Sequence, residues 1–181
     1  MESLGTDMKI IPVSILFLSV LVLHPGCSTT PSVTYSPESA VEAFSRFSAL
    51  EGDWNSTPDP SDMPPSIVNY HTIANGSAVV ETVFKGTPFE MSTVIFLDGD
   101  RLLMTHYCAA RNQPHMKASE ITKGSVYFVT DHVTNHDDPS DLYMGEAEWI
   151  FTDENHLTTR WRTFQDGEAG DPHIFNMTRI D

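Results

Sequence analysis

From Gly52 to the C-terminus, apolar and polar residues alternate with a period of two, and turn-forming residues recur about every 10 to 15 positions. This period is typical of strands that bury one face, and the tight turns between successive strands favour antiparallel pairing. The pattern therefore predicts an all-β domain of about 9–10 antiparallel strands.

Two of the turns are marked by dipeptides, Asn75-Gly76 and Asp98-Gly99, that accept the positive φ angles of a two-residue hairpin loop. Segment 57–65 contains four prolines and is predicted to be a loop. The strands are expected within hairpins 66–85 and 91–109 and in segments 52–56, 115–122, 125–132, 142–151, 156–164 and 173–180.

A short amphipathic helix is predicted before the first strand. It starts at segment 36–38, Ser-Pro-Glu, which supplies a hydroxyl cap, a proline at the first helical position and an acid near the positive end of the helix dipole. Apolar residues follow at helical spacing, at Ala40, Phe44, Phe47 and Leu50. We expect the helix to end near Leu50.

Consecutive antiparallel strands leave two unpaired edges, and closure into a single barrel removes both. A two-sheet sandwich is the alternative. The barrel is favoured by Gly52-Asp53-Trp54 at the start of the first strand, which resembles the Gly-x-Trp signature of lipocalins and related calycins. The resemblance implies that Arg179 on the last strand packs across Trp54 and closes one end, through cation-π attraction and hydrogen bonds to carbonyls.

More narrowly, segments 75–82 and 104–114, the second containing Thr-His-Tyr-Cys and Asn-Gln-Pro, are similar to a functionally uncharacterised bacterial lipoprotein family with lipocalin-like domains. The resemblance covers roughly residues 45–181. It implies a fold and no activity.

The N-terminal region has the features of an export signal. Residues 10–23 form an apolar run of 14, whereas about 20 are needed to span a bilayer. The run ends at Gly26-Cys27, which resembles a bacterial lipoprotein signal, and Met8-Lys9 directly before it favours Met8 over Met1 as the start.

We therefore expect residues 1–26 to be a signal peptide, Cys27 to be lipidated, residues 27–35 to form a tether and residues 36–181 to form the barrel domain. Ordinary signal cleavage and a retained N-terminal anchor are the alternatives. Lipidation would hold the domain in the cell envelope, on the periplasmic side of a bacterial membrane, and ordinary cleavage would make it a secreted protein.

The composition limits the partners. The formal net charge is −15, and removal of residues 1–26 leaves −14 because two acids and one lysine are lost. An acidic domain repels phosphate backbones, which excludes nucleic acid as an expected partner. Cys27 and Cys108 are the only cysteines, so no disulfide framework is implied, and a lone Cys108 thiol is expected to be buried.

Candidate ligand-binding residues follow from the hairpin registers. A two-residue loop at Asn75-Gly76 puts Tyr70 opposite Glu81. A two-residue loop at Asp98-Gly99 puts His106 opposite Met91, on an apolar face that should point inward.

Cys108 is expected to share that inner face with His106, whereas Tyr107 lies on the other side. Glu81, His106 and Cys108 then form a polar set on apolar walls, which is typical of a ligand pocket, and Tyr107 or Trp161 are further candidates for its lining. The alternative is that His106 is a hydrogen-bonded core histidine and Cys108 a small buried hydrophobe.

Asn112 and Gln113 connect two expected strands. Their amides could orient a ligand at the barrel mouth or brace the loop by capping free backbone groups, and we favour bracing.

No metal site or catalytic residue is assigned. His132 and His136 would converge only on a helix, and a set of His106, Cys108 and His115 would require the intervening loop to fold back. The sequence lacks the Gly-x-Ser-x-Gly, phosphate-loop and His-Glu-x-x-His motifs, and it identifies no cofactor.

Three functions stay open. The leading hypothesis is an exported, lipid-anchored barrel that binds a small, largely apolar ligand. The second is a structural or interaction barrel filled by large side chains, among them Phe84, Phe96, Phe128 and Trp161. The third is a cofactorless or metal-assisted enzyme that uses the same pocket, since calycin-like barrels occasionally host isomerase chemistry.

Overall fold

Ten antiparallel strands pair in sequence order, and the last pairs with the first, so that the sheet closes into a barrel. The computed structural model describes residues 37–59 and 64–180. Its elements are α1 (Pro37–Ser48), β1 (Gly52–Asp59), β2 (Ser66–Ile73), β3 (Ala78–Val83), β4 (Met91–Asp98), β5 (Arg101–Tyr107), β6 (Gln113–Ile121), β7 (Ser125–Thr134), β8 (Tyr143–Phe151), β9 (His156–Gln165) and β10 (Glu168–Arg179). The predicted all-β barrel with one short helix is confirmed, and the sandwich alternative is wrong.

The expected export segments lie outside the described residues. These are the signal peptide 1–26, Cys27 and the tether 27–35, together with the helix cap at Ser36. Within the described ranges, no helix is both long and apolar enough to cross a bilayer.

Helix α1 packs into one end of the barrel, which we call the helix end. Its inward face is formed by Ala40, Ala43 and Phe47, all fully buried. The Phe47 ring lies 5.4 Å from the Trp149 ring and 6.1 Å from the Phe128 ring, centroid to centroid. The helix thereby fills this end with aromatic contacts, which contribute beyond the area that they bury.

The expected contact between the first and last strands is present at the helix end. The Arg179 guanidinium lies 4.3 Å from the Trp54 ring centroid, and the two residues are register partners in β10 and β1. Arg179 also donates hydrogen bonds to the carbonyls of Ala49 and Glu51, both at 2.8 Å. Gly52 takes a φ of 123°, a backbone conformation that residues with a side chain rarely adopt.

The β4–β5 register differs from the prediction by two positions. Asp98 pairs with Arg101, so the loop residues are Gly99 and Asp100, and His106 pairs with Thr93 rather than Met91. A shift of two keeps each side chain on its predicted face but changes its cross-strand neighbour. In the first hairpin the Tyr70–Glu81 pairing is as predicted, although the turn spans residues 74–77.

The predicted loop 57–65 is wrong at its start, because β1 continues through Pro58 to Asp59. Pro58 pairs with Phe175 in β10, whereas pairing with β2 begins only at Ser56. Beyond Ser56, β1 is therefore paired only with β10 and not with β2. Proline is tolerated at such a position, because the side of the strand towards β2 has no ladder of hydrogen bonds to lose there.

Replacement of Arg179 by Ala should lower the free energy of unfolding by about 2–3 kcal/mol, because the cation-π contact and the charged hydrogen bonds are lost together. Trp54→Ala should be at least as severe, and the two losses should be less than additive in a double-mutant cycle measured by chemical denaturation. Arg160→Ala is the matched control, since its ion pair with Glu148 is half exposed and is worth at most about 1 kcal/mol. Additive losses would contradict the proposed coupling.

Candidate functional site

A pocket of about 140 Å³ lies at the end of the barrel opposite the helix, which we call the pocket end. Its apolar wall comes from strands on several sides, with Val68, Val83, Met144, Trp161, Phe175 and Met177 among the lining residues. Its polar groups include Glu81, His106 and Thr159, which are 2%, 3% and 1% exposed. A few polar groups on an apolar wall are the usual composition of a small-molecule site.

The buried Glu81 carboxylate is held by hydrogen bonds. The Tyr70 hydroxyl donates to Glu81 Oε1 at 2.5 Å, and Trp149 Nε1–H donates to the Tyr70 hydroxyl at 3.1 Å. Burial raises the pKa of Glu81 above its ordinary value, while the hydrogen bond from Tyr70 opposes the rise. Burial and the nearby Glu81 hold the pKa of Tyr70 well above its ordinary value, so Tyr70 keeps its proton.

His106 is positioned by two contacts. Thr93 Oγ1 lies 3.0 Å from His106 Nδ1, and the imidazole packs on the Trp161 indole with centroids 4.7 Å apart. Burial lowers the pKa of His106 to about 4, so the ring is neutral at neutral pH.

Tyr70, Glu81, Thr93 and His106 form one polar row. Each is the register partner of the next, across β2, β3, β4 and β5 in turn. Directly opposed side chains on one face of an antiparallel sheet lie close enough to interact. The row therefore follows from the strand registers and ends at the pocket.

Two polar atoms of the pocket residues are buried without a hydrogen bond. They are His106 Nε2 and Thr159 Oγ1. Buried polar groups normally have a partner, because an unsatisfied one costs about 1–3 kcal/mol. Both residues line the pocket, and the hydrogen-bonding capacity of these two atoms is not taken up by any described group.

Three of the predicted site residues, Glu81, His106 and Trp161, line the pocket. Tyr107 does not: it follows His106 by one residue, so it points to the outer face, where it is 52% exposed. Tyr107 is therefore not among the residues that line this pocket.

Cys108 lies one residue beyond the end of β5 and is not among the residues that line the pocket. Its Sγ contacts the sulfur of Met91, which does line the pocket, at 4.0 Å. Burial raises the pKa of the Cys108 thiol, which disfavours the nucleophilic thiolate.

Asn112 and Gln113 brace loops, as favoured above. Asn112 is 1% exposed, and its Nδ2 donates to the Leu142 carbonyl at 2.9 Å, while its Oδ1 has no partner. Gln113 Oε1 accepts from the Thr134 hydroxyl at 3.0 Å. Neither residue is among those that line the pocket.

The histidines do not converge with Cys108. His115 lies on the outer surface, where its ring stacks on His132 with centroids 4.3 Å apart, and its Nδ1 lies 3.0 Å from Thr105 Oγ1. In the described part of the chain, no group of three or more His, Cys, Asp or Glu side chains is arranged to hold a metal ion.

The sequence reasoning missed two site residues, Thr93 and Thr159. The predicted register pairs His106 with Met91, so it gave no reason to select Thr93, the partner that His106 has in the structure. Thr159 is flanked in the period-two pattern of β9 by Leu157 and Trp161, both buried, so alternation alone could have placed its hydroxyl inside.

No protein-family model matches the sequence, and a comparison with curated proteins finds no similar chain.

The low pKa of His106 makes stability depend on pH. Since the folded pKa is about 4 and the ordinary value is 6.5, His106 contributes stability above pH 6.5 that is lost as the pH falls toward 4. Relative to His106→Gln, the free energy of unfolding should fall by roughly 3 kcal/mol between pH 7 and pH 4.

Urea unfolding of both proteins across this range measures the difference. The comparison with His106→Gln is needed because the raised pKa of Glu81 acts in the opposite direction, adding stability as the pH falls. A difference that does not change with pH would contradict a buried, neutral His106.

Proposed function

We propose that this barrel binds a small, largely apolar ligand in the pocket opposite the helix. The observation that carries the proposal is the pair of buried, unpartnered atoms, His106 Nε2 and Thr159 Oγ1, in residues of a largely apolar pocket. A ligand that fills the pocket and meets both atoms would offset their desolvation cost.

The size of the pocket limits the ligand. An engineered apolar cavity of about 150 Å³ in another protein binds benzene. The volume here, about 140 Å³, suits a ligand with one six-membered ring or a short chain. Larger ligands would have to extend beyond the pocket.

Binding fits the chemistry of the pocket better than catalysis. A histidine whose pKa is about 4 is a weak base at neutral pH, whereas general bases work best near the operating pH. The Cys108 thiol has a raised pKa and is not among the lining residues, which argues against a thiolate nucleophile.

A completely filled barrel fits less well. Phe128 and Trp149 do fill the helix end, but Phe96 alternates with the buried Ile95 and so points outward. Phe84 and Trp161 line the pocket instead of removing it.

We also propose that the chain is a lipocalin-like protein of the calycin type, related to the bacterial lipoprotein family that its sequence resembles. The closed barrel and the contact of Arg179 with Trp54 support this assignment. We propose further that it is exported and anchored at the periplasmic side of the membrane through a lipid on Cys27.

The ligand proposal can be tested with toluene as an apolar probe, followed by NMR of the methionine methyl groups of the full chain. Met91, Met144 and Met177 line the pocket and should shift, whereas Met104 and Met116 are buried away from it and should not. Absence of shifts at the three pocket methionines would refute the proposed site.

Two substitutions on β3 provide the matched pair for this titration. Val83 lines the pocket, so Val83→Phe should fill it and abolish the shifts. Val80 lies on the same strand but three positions away, on the opposite face, and Val80→Phe should leave the shifts intact. Equal probe binding by both variants would count against the pocket as the site.

The anchor is tested by Cys27→Ser, which removes the acylated sulfur. The full-length variant should leave the membrane fraction and appear in the soluble fraction of its own host, measured by immunoblot after fractionation. Cys108→Ser is the control and should stay with the membranes. Continued membrane association of Cys27→Ser would rule out this lipid as the anchor.

A further inference from the structure

One part of the pocket wall comes from a loop. Among the described residues that line the pocket, Phe84 alone lies outside the strands, because β3 ends at Val83 and β4 begins only at Met91. Phe84 is partly buried, whereas residues 85–90 of the same loop are all exposed. A residue that lines the pocket and also reaches solvent lies where the pocket opens, so the Phe84 ring stands at the mouth.

The backbone of Phe84 explains how its ring reaches the pocket. Glu81 and Val83 line the pocket, so continued alternation along the strand would direct the next side chain to the outer face. Phe84 instead takes a φ of 53°, in the left-handed region. With this turn in the chain, two successive residues, Val83 and Phe84, line the same pocket.

The loop maintains this backbone conformation although it is unfavourable for a bulky side chain. The backbone N–H and the hydroxyl of Thr87 both donate to the Phe84 carbonyl, at 3.1 and 2.8 Å. At the far end of the loop, the Glu90 carboxylate accepts from the backbone N–H of Gly86 at 2.6 Å. Strain that the surrounding structure maintains is concentrated at ligand sites and active sites. Here its result is an aromatic ring at the mouth of the pocket.

We infer that Phe84 is the specificity-determining residue of the proposed pocket, because its ring closes the mouth and limits the ligand to one ring or a short chain. The inference rests on the proposed function and adds the group that selects among apolar ligands by size. The other lining residues are held by the paired strands of the barrel. Phe84 is the lining group whose removal extends the pocket towards solvent without changing a strand.

The backbone is tested without a ligand, by urea unfolding of Phe84→Gly and Phe84→Ala in the full chain. Both substitutions remove the ring, but glycine adopts a positive φ without the steric cost that alanine has. Phe84→Gly should therefore unfold at a higher urea concentration than Phe84→Ala, which reverses the usual order of the two residues.

The same pair of substitutions at Phe89 is the matched control. Phe89 belongs to the same loop, but its φ is not positive, so Phe89→Ala should be at least as stable as Phe89→Gly. If Phe84→Ala is also the more stable variant at its position, a left-handed backbone does not hold the ring at the mouth, and the inference is overturned.

The size limit is tested with toluene and butylbenzene, which share a ring and differ only in the length of the alkyl chain. Binding is followed by the methyl signals of Met91, Met144 and Met177, which line the pocket. In the unmodified full chain, butylbenzene should bind no more tightly than toluene, because Phe84 blocks the longer chain. In Phe84→Ala, butylbenzene should bind about tenfold more tightly than toluene, since its added methylene groups are then buried.

Phe89→Ala serves as the control here too, because Phe89 is 66% exposed and is not among the lining residues. It should keep the ratio of the two affinities that the unmodified chain has. The inference is wrong if Phe84→Ala also keeps that ratio, or if the unmodified chain already prefers butylbenzene as strongly as Phe84→Ala does. If neither probe shifts the pocket methionines in any of these proteins, the proposed function itself fails.

Discussion

The pairing of β1 with β10 is the constraint on which the rest of the structure depends. These strands begin and end the barrel domain, and without their contact the sheet would expose two edges and its apolar inner face. Arg179 reinforces the pairing by covering Trp54, and its guanidinium also binds the carbonyls of Ala49 and Glu51 just after α1. One side chain therefore ties the closure of the barrel to the position of the helix that fills its end.

The two ends of the interior differ because of this arrangement. At the helix end, Phe47 packs against Phe128 and Trp149, so the space is occupied by aromatic rings. At the pocket end no helix enters among the described residues, and the inner positions include Glu81 and His106. Space and polar groups thus occur together at the same end, which is the arrangement expected of a binding site rather than of a packing defect.

Periodicity predicted the faces of the strands well, because side chains alternate whatever the register. It could not predict which residues lie opposite each other on neighbouring strands. The predicted pairing of Tyr70 with Glu81 was correct, because the observed turn, residues 74–77, has the same centre as the predicted turn at Asn75-Gly76. The β4–β5 turn instead uses Gly99 and Asp100. The partner of His106 is therefore Thr93 and not Met91.

That shift of two residues concealed the polar row, since the bond between Thr93 and His106 exists only in the observed register. The position of Cys108 could not be predicted either, because it depends on where β5 ends. The end of a strand is set by contacts in the loop that follows, such as the hydrogen bond from Asn112 to the Leu142 carbonyl. Pro58 was misjudged for a similar reason: whether a proline disrupts a strand depends on which side of that strand is paired.

Stability alone does not account for the polar row. Burial of Glu81 removes a carboxylate from water, and apolar replacements for buried polar networks are often neutral or stabilising in other proteins. What apolar side chains could not do is place hydrogen-bonding groups at the pocket. The row ends at His106, whose Nδ1 lies 3.0 Å from Thr93 Oγ1 and whose Nε2 has no partner among the described groups. The buried row is therefore better explained by the proposed ligand pocket than by stability.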